Sequence, residues 1–202
     1  MGNFNENQNN EVEEVVIEVE TEKPKKSAKR ELLEWVQAIA IAVVLAIVVR
    51  QFLFTVVRVD GQSMEPTLQN NDRMIVWRLG YNPEEGDIIV FNPPTQDPNA
   101  KKVFWIKRVI ATEGQIVEID YNTNSVYVDG EKLEEDYLGE AMLNPGADFD
   151  FNGKPVPEGC VFVMGDNRNH STDSRFVGYV SEDSITGKAV VRFWPLNKMS
   201  LY

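Results

Sequence analysis

The chain has 202 residues, room for one globular domain with extensions, and its 43% apolar content with ten Phe, six Tyr and four Trp supplies a real core. A formal net charge of −12 excludes nucleic acid as a partner, because binding there relies on Lys and Arg neutralising phosphates. The single cysteine, Cys160, excludes an intramolecular disulfide and a cysteine-rich zinc site, and no metal or cofactor is expected.

Residues 1–22, MGNFNENQNNEVEEVVIEVETE, carry Asn, Gln and Glu with no basic residue and one aromatic. Such a tail cannot bury enough surface to offset its ordering entropy, so it is expected to be disordered. The sign reverses in KPKKSAKR, 23–30, which completes the segment 1–30. A transmembrane helix is expected within 31–55. Its cleanest apolar block, Trp35 to Val49, is interrupted only by Gln37. That block is about 22 Å long as a helix, short of a ~30 Å hydrocarbon core. Adding Leu32 and Leu33, or Phe52 to Phe54, reaches spanning length and leaves Glu34 and Arg50 near the two interfaces. No polar face occurs between Ala38 and Val49, which argues against a buried soluble helix. Lys23, Lys25, Lys26, Lys29 and Arg30 precede the span, so the N-terminus is expected to be cytoplasmic and the remainder extracytoplasmic in a cell membrane. The small-x-small pattern Ala38, Ala40, Ala42 lies mid-run, which favours an uncleaved anchor over a signal peptide.

From Val56 onward, short β-like runs are separated by Gly, Pro, Asn and Asp. FTVVRVDG, DRMIVWRL, DIIVFNPP, KVFWIKRVIA, QIVEIDYN, SVYVDG, CVFVMGD and KAVVRFWPL are the predicted strands, with a hairpin turn around Asn122 to Asn124 and a Pro-rich loop over 92–100. Cys160 falls in EGCVFVMGD and is expected to be a small buried strand residue. No helix-length amphipathic pattern follows the span. The fold class is mainly β: an all-β domain of antiparallel strands over 56–202, tethered by a single N-terminal transmembrane helix.

Chemistry is concentrated in three stretches. VDGQSMEPTL sets Ser63 on a turn between Gly61 and Pro66, where glycine allows a close bend and proline fixes φ. A nucleophilic serine needs a base, and the one histidine, His170, sits in a polar loop that favours a solvent-facing role. Lysine can serve if it is neutral. At an ordinary pKa near 10.4 only about one lysine in a few thousand is neutral at pH 7. Lowering the pKa to about 8 raises that fraction to roughly a tenth, at a cost of about 3 kcal/mol. Lys107, in the apolar run KVFWIKRVIA, is the lysine placed for this, sharing a strand face with Trp105 and Val109. The third stretch, MGDNRNHSTDSRFVG, alternates Asp166, Arg168, Asp173 and Arg175, a pattern that can knit ion pairs or present hydroxyls to a site.

In this order after an N-terminal span, SMEPT, KRV and GDNRNHSTDSR resemble the type I signal peptidase family of Ser/Lys membrane proteases, in its short, Gram-positive-like form. The resemblance runs from about Arg50 to Pro195 and takes in GDIIVFNPP and GKAVVRFWP. It implies Ser63 as nucleophile, Lys107 as general base and Ser171 as the serine whose hydroxyl orients the lysine. It implies an Asp173–Arg175 ion pair bracing the site, with Asp166 and Arg168 structural. Val59, Met64, Leu68, Trp105 and Ile106 fall where the family lines its pockets for small residues before the scissile bond. Gly61 departs from the branch that places a serine hydroxyl in the oxyanion hole, so the second oxyanion donor is unassigned. Any second subdomain between Lys107 and the acidic stretch must be small. The implied partners are exported preproteins, through their signal-peptide region, and the lipid bilayer. A self-cleaving Ser/Lys repressor would want a helix-turn-helix and a basic surface, which this chain lacks. A membrane-anchored β module that binds without catalysis is the rival from another class.

Overall fold

The computed structural model describes residues 27–94, 103–143 and 149–202, with the backbone alone at 50 and 51. The acidic tail, the first part of the basic segment (23–26) and most of the Pro-rich loop (95–100) lie outside them. Helix α1, Ala28–Phe52, is 25 residues long, or about 37 Å at roughly 1.5 Å per residue, enough to cross a hydrocarbon core. Over Ala28–Val49 it is long and apolar enough to span a membrane, and none of it is buried against protein. It begins three residues before the expected segment and closes where the Leu53 amide donates to the Val49 carbonyl, at 2.9 Å. Phe54 and Thr55, expected in the span, instead open the first strand.

The remainder is mainly antiparallel β. In chain order the strands are β1 Phe54–Arg58, β2 Arg73–Trp77, β3 Ile88–Phe91, β4 Trp105–Ala111, β5 Val117–Asp120, β6 Ser125–Val128, β7 Glu131–Lys132, β8 Cys160–Met164, β9 Val180–Ser181, β10 Ile185–Trp194 and β11 Ser200–Leu201. The larger sheet has the order β1-β2-β10-β3-β4-β8-β9, with β11 pairing β10. The smaller one is β5-β6-β7. Among the described residues this small sheet is the secondary structure between β4 and β8.

Two-sided burial explains the continuous apolar runs. All four residues of β3 are buried. Ile88 packs with Val59, Met64, Leu68, Met74 and Ala189 beneath the Ser63 turn, whereas Ile89 and Phe91 pack with Val109, Val161 and Val163 on the other face. A third cluster, around Val117, Val126, Phe151 and Phe162, joins the small sheet to β4 and β8. Cys160 is only partly buried rather than enclosed, because it opens β8 at the margin of that cluster. Short β7, β9 and β11 carry too few residues to show an alternation in the sequence.

Candidate active site

Strand β1 leads directly into the turn that carries Ser63. Gly61 adopts φ +99°, a conformation side chains resist, and its amide donates to Asn70 Oδ1 at 3.1 Å. Below the turn, Met64 and Leu68 are fully buried and act as its anchor. Val59, Trp105 and Ile106 line the groove beside Ser63, and Met64 and Leu68 pack with Val59 in the cluster beneath it.

Lys107 sits in β4 opposite Ile89 of β3, which sinks it between the two apolar faces; it is 4% exposed. Its Nζ donates to Ser63 Oγ at 2.7 Å and to its neighbour's carbonyl, Ile106 O, at 3.0 Å. The ring centroid of Trp105 lies 5.6 Å from Nζ, consistent with a shared strand face. Burial pushes the ammonium down to about 8, against a smaller upward pull from the carboxylates of Asp173 and Asp166. A lysine that is roughly one-tenth neutral at pH 7 thus points at a hydroxyl within hydrogen-bonding range.

The acidic stretch pins this pair. Asp166 Oδ1 and Oδ2 accept from Arg108 Nε and Nη2 at 2.9 and 2.7 Å, and Oδ2 also accepts from Thr67 Oγ1 at 2.5 Å. One carboxylate therefore fixes the residue after Lys107 and the segment after Ser63. Arg168 is buried against Glu135, and its Nε donates to Gly165 O at 3.1 Å. Asp173 accepts from Arg175 Nε at 2.8 Å and Nη2 at 2.9 Å, and from the Gly165 amide at 3.0 Å; both partners are fully buried. Asp173 also caps the four-residue helix α2, Ser174–Val177. Ser171 is buried here, yet its Oγ has no hydrogen-bond partner, so the expected bond to Lys107 is not made. His170 is exposed, on the lip of the groove.

Gly165 was not singled out by the sequence, although MGD contains it. A Cβ there would fall inside the contact shells of the Ser63 carbonyl and the Ser171 hydroxyl. The Asn167 amide donates to that same carbonyl at 3.0 Å. Gly165→Ala is expected to push the Ser63 turn off its lysine. Any hydrolytic activity should fall by about a hundredfold, since an ångström of misplacement costs that much. A kinetic assay beside a thermal melt checks it; full activity would show that the approach is not tight.

The groove itself has a volume of about 360 Å³ and runs between residues 57–63 and 104–107, with Val90 and Thr172 completing it. Among the described residues no group of acids, His or Cys is placed to hold a metal ion. The arrangement is suited to acyl transfer by a serine with an amine base.

The family model described as signal peptidase, peptidase S26, matches residues 32–194. Signal peptidase I of Leptolyngbya laminosa is 40% identical over 175 residues, covering 83% of this chain and 82% of that protein. Signal peptidase IB of Staphylococcus aureus is 37% identical over 186 residues, covering 84% and 93%. A probable signal peptidase I-2 from Synechocystis sp. is 39% identical over 188 residues, covering 90% and 83%. A solved signal peptidase I from Enterococcus faecalis V583 is 32% identical, matching 55% of this chain and 98% of that one with a TM-score of 0.43.

Proposed function

The chain belongs to the signal peptidase family, peptidase S26, serine proteases that remove signal peptides from preproteins, and from that premise we propose that Ser63 and Lys107 are its catalytic dyad. The observation that carries this reading is the 2.7 Å bond from a buried lysine amine to the Ser63 hydroxyl. A precursor lies as an extended strand between residues 60–62 and 104–106, held by main-chain pairing. Small side chains at the first and third positions before the bond enter the shallow apolar walls of Val59, Trp105 and Ile106. Neutral Lys107 takes the Ser63 proton as Oγ attacks the carbonyl. The resulting ammonium gives that proton to the leaving amine, and the acyl-enzyme remains. Water, deprotonated by the same amine, then releases the signal peptide. The Ser63 amide is one donor to the oxyanion. Asp166, Arg168, Asp173 and Arg175 keep the dyad in register, and Ser171 stands beside it with an unsatisfied hydroxyl.

Residues 31–55 serve in this reading as a single membrane anchor and 56–202 as the catalytic domain, with the N-terminus cytoplasmic and the domain outside. Tethering confines enzyme and precursor to one surface and raises their effective concentration. From Arg58 to Tyr202 there are 14 basic against 23 acidic side chains, so the domain as a whole stands off an anionic leaflet. A binding module without catalysis leaves the depressed lysine unexplained.

The test is cleavage of an exported precursor by the full-length chain in detergent, followed against pH. Only the neutral amine accepts a proton, and the folded pKa is near 8. The rate should therefore rise about tenfold per pH unit below pH 7 and level off above about pH 9. Cut sites should follow a small residue. A profile flat from pH 6 to 9 would remove Lys107 as the base.

A further inference from the structure

A bond attacked at Ser63 must have chain leaving it in two directions. The apolar groove between residues 57–63 and 104–107 receives the part before the bond. A second hollow, also about 360 Å³, is lined by Gln62, Glu65, Pro66, Glu140, Asn167 and His170. Gln62 and His170 line both, so the two meet at the residues flanking the nucleophile.

Their chemistry differs. The second hollow has no lysine or arginine in its lining, and two of its carboxylates are paired with no cation among the described residues. Glu65, two residues after Ser63, is half-buried, and its carboxylate has no partner among the described residues. Glu140 is exposed and held by the Asn169 side-chain amide at 2.9 Å, a neutral donor that leaves its charge intact. The third acid there, Asp166, is already paired with Arg108. Asn167 completes the wall: its amide groups hold the Gln62 and Ser63 carbonyls at 3.2 and 3.0 Å, while its Oδ1 is buried without a hydrogen-bond partner.

Resting on the reading of Ser63 as nucleophile, we propose that this second hollow takes the first residues after the scissile bond, and that Glu65 and Glu140 select basic over acidic side chains there. The signal-peptide side would then be chosen by size and apolarity, and the mature side by charge. Two like charges facing an aspartate repel it and attract a lysine, an effect that added salt screens.

The experiment measures binding, so it does not depend on turnover. The full-length Ser63→Ala chain in neutral detergent micelles is titrated with two labelled peptides that are identical through the cleavage position. They carry Lys or Asp at the second and third residues after it. The Lys peptide should bind about fivefold tighter or more at low salt, with the ratio shrinking toward one as salt rises. Adding Glu65→Gln and Glu140→Gln should bring the ratio close to one. A second peptide pair, with Lys or Asp placed well before the cleavage position, should show a ratio that these substitutions do not move. Equal binding of the first pair, discrimination that survives both Gln substitutions, or an equal response from the second pair would each overturn the proposal. If the doubly substituted chain does not fold, the salt-dependent ratio of the parent still decides. Failure of the unmutated chain to cleave precursor would count against the dyad instead, leaving this ratio untouched.

Discussion

Replacing Ser63 by Ala, or Lys107 by Met, should lower precursor cleavage by about 10⁴-fold or more in full-length protein while the domain stays folded. Ser63→Ala deletes only Oγ, at a partly exposed turn whose shape depends on Gly61, Gly165 and the Asn167 amide, none of which touches that atom. Its effect on stability is therefore small. Lys107→Met is the more instructive change. Met is unbranched and apolar, close in length to the buried lysine stem, and leaves no charge between β3 and β4. Depression of the lysine to about 8 means that the folded state penalises its ammonium by roughly 3 kcal/mol at pH 7 relative to the unfolded chain. The sign follows from the shift. Between about pH 8 and 10.4 the unfolded chain holds a proton that the folded chain has lost, so stability rises with pH across that window, and below it the penalty is complete. Removing the amine removes the penalty, and Lys107→Met should melt at or above the parent's temperature near neutral pH. Cleavage and melting measured on the same sample separate the roles. Retained cleavage in either variant defeats the dyad; a large loss of stability in Lys107→Met would mean that the amine has a structural role.

Much of the site was legible because its parts are local in sequence. A turn with Gly61 and Pro66 around Ser63, and a lysine inside an apolar strand, each announce themselves from neighbouring residues. What joins them is not local. The Asp166–Arg108–Thr67 clamp links positions up to 99 residues apart, and the partner of Arg168, Glu135, lies in a loop with no periodicity to read. The eight runs read as strands all contain strands, since their bounding turns are explicit, whereas two-residue β7, β9 and β11 come from tertiary pairing alone. Met64 and Leu68 show what position alone leaves open. Residues next to a nucleophile can point into the groove or into the core, and only packing decides. Gly165 shows the converse: a glycine with ordinary φ is silent in the sequence until a carbonyl and a hydroxyl are found where its side chain would be.

The Asp173–Arg175 pair should be the most costly surrounding element to break. Arg175 is wholly buried and donates to both Asp173 oxygens, to the Arg168 carbonyl at 2.7 Å and to Met142 Sδ at 3.4 Å. Removing one partner strands the other charge without water, a loss of about 3–5 kcal/mol in breaking such pairs. Arg175→Met and Asp173→Asn are each expected to lower the urea midpoint of the micelle-held chain sharply. The double substitution should destabilise by clearly less than the sum, because neither charge is then left alone. Additive losses would mean that the two residues contribute through packing and not as a pair. Asp173→Asn carries a second, separable signature. Its carboxylate is the larger of the two that raise the Lys107 pKa against desolvation. Taking that charge away should move the lower limb of the pH–rate profile below pH 8 in whatever fraction remains folded. An unchanged limb, beside the expected loss of stability, would confine Asp173 to holding the loop; a shifted one would make it an electrostatic tuner of the base as well.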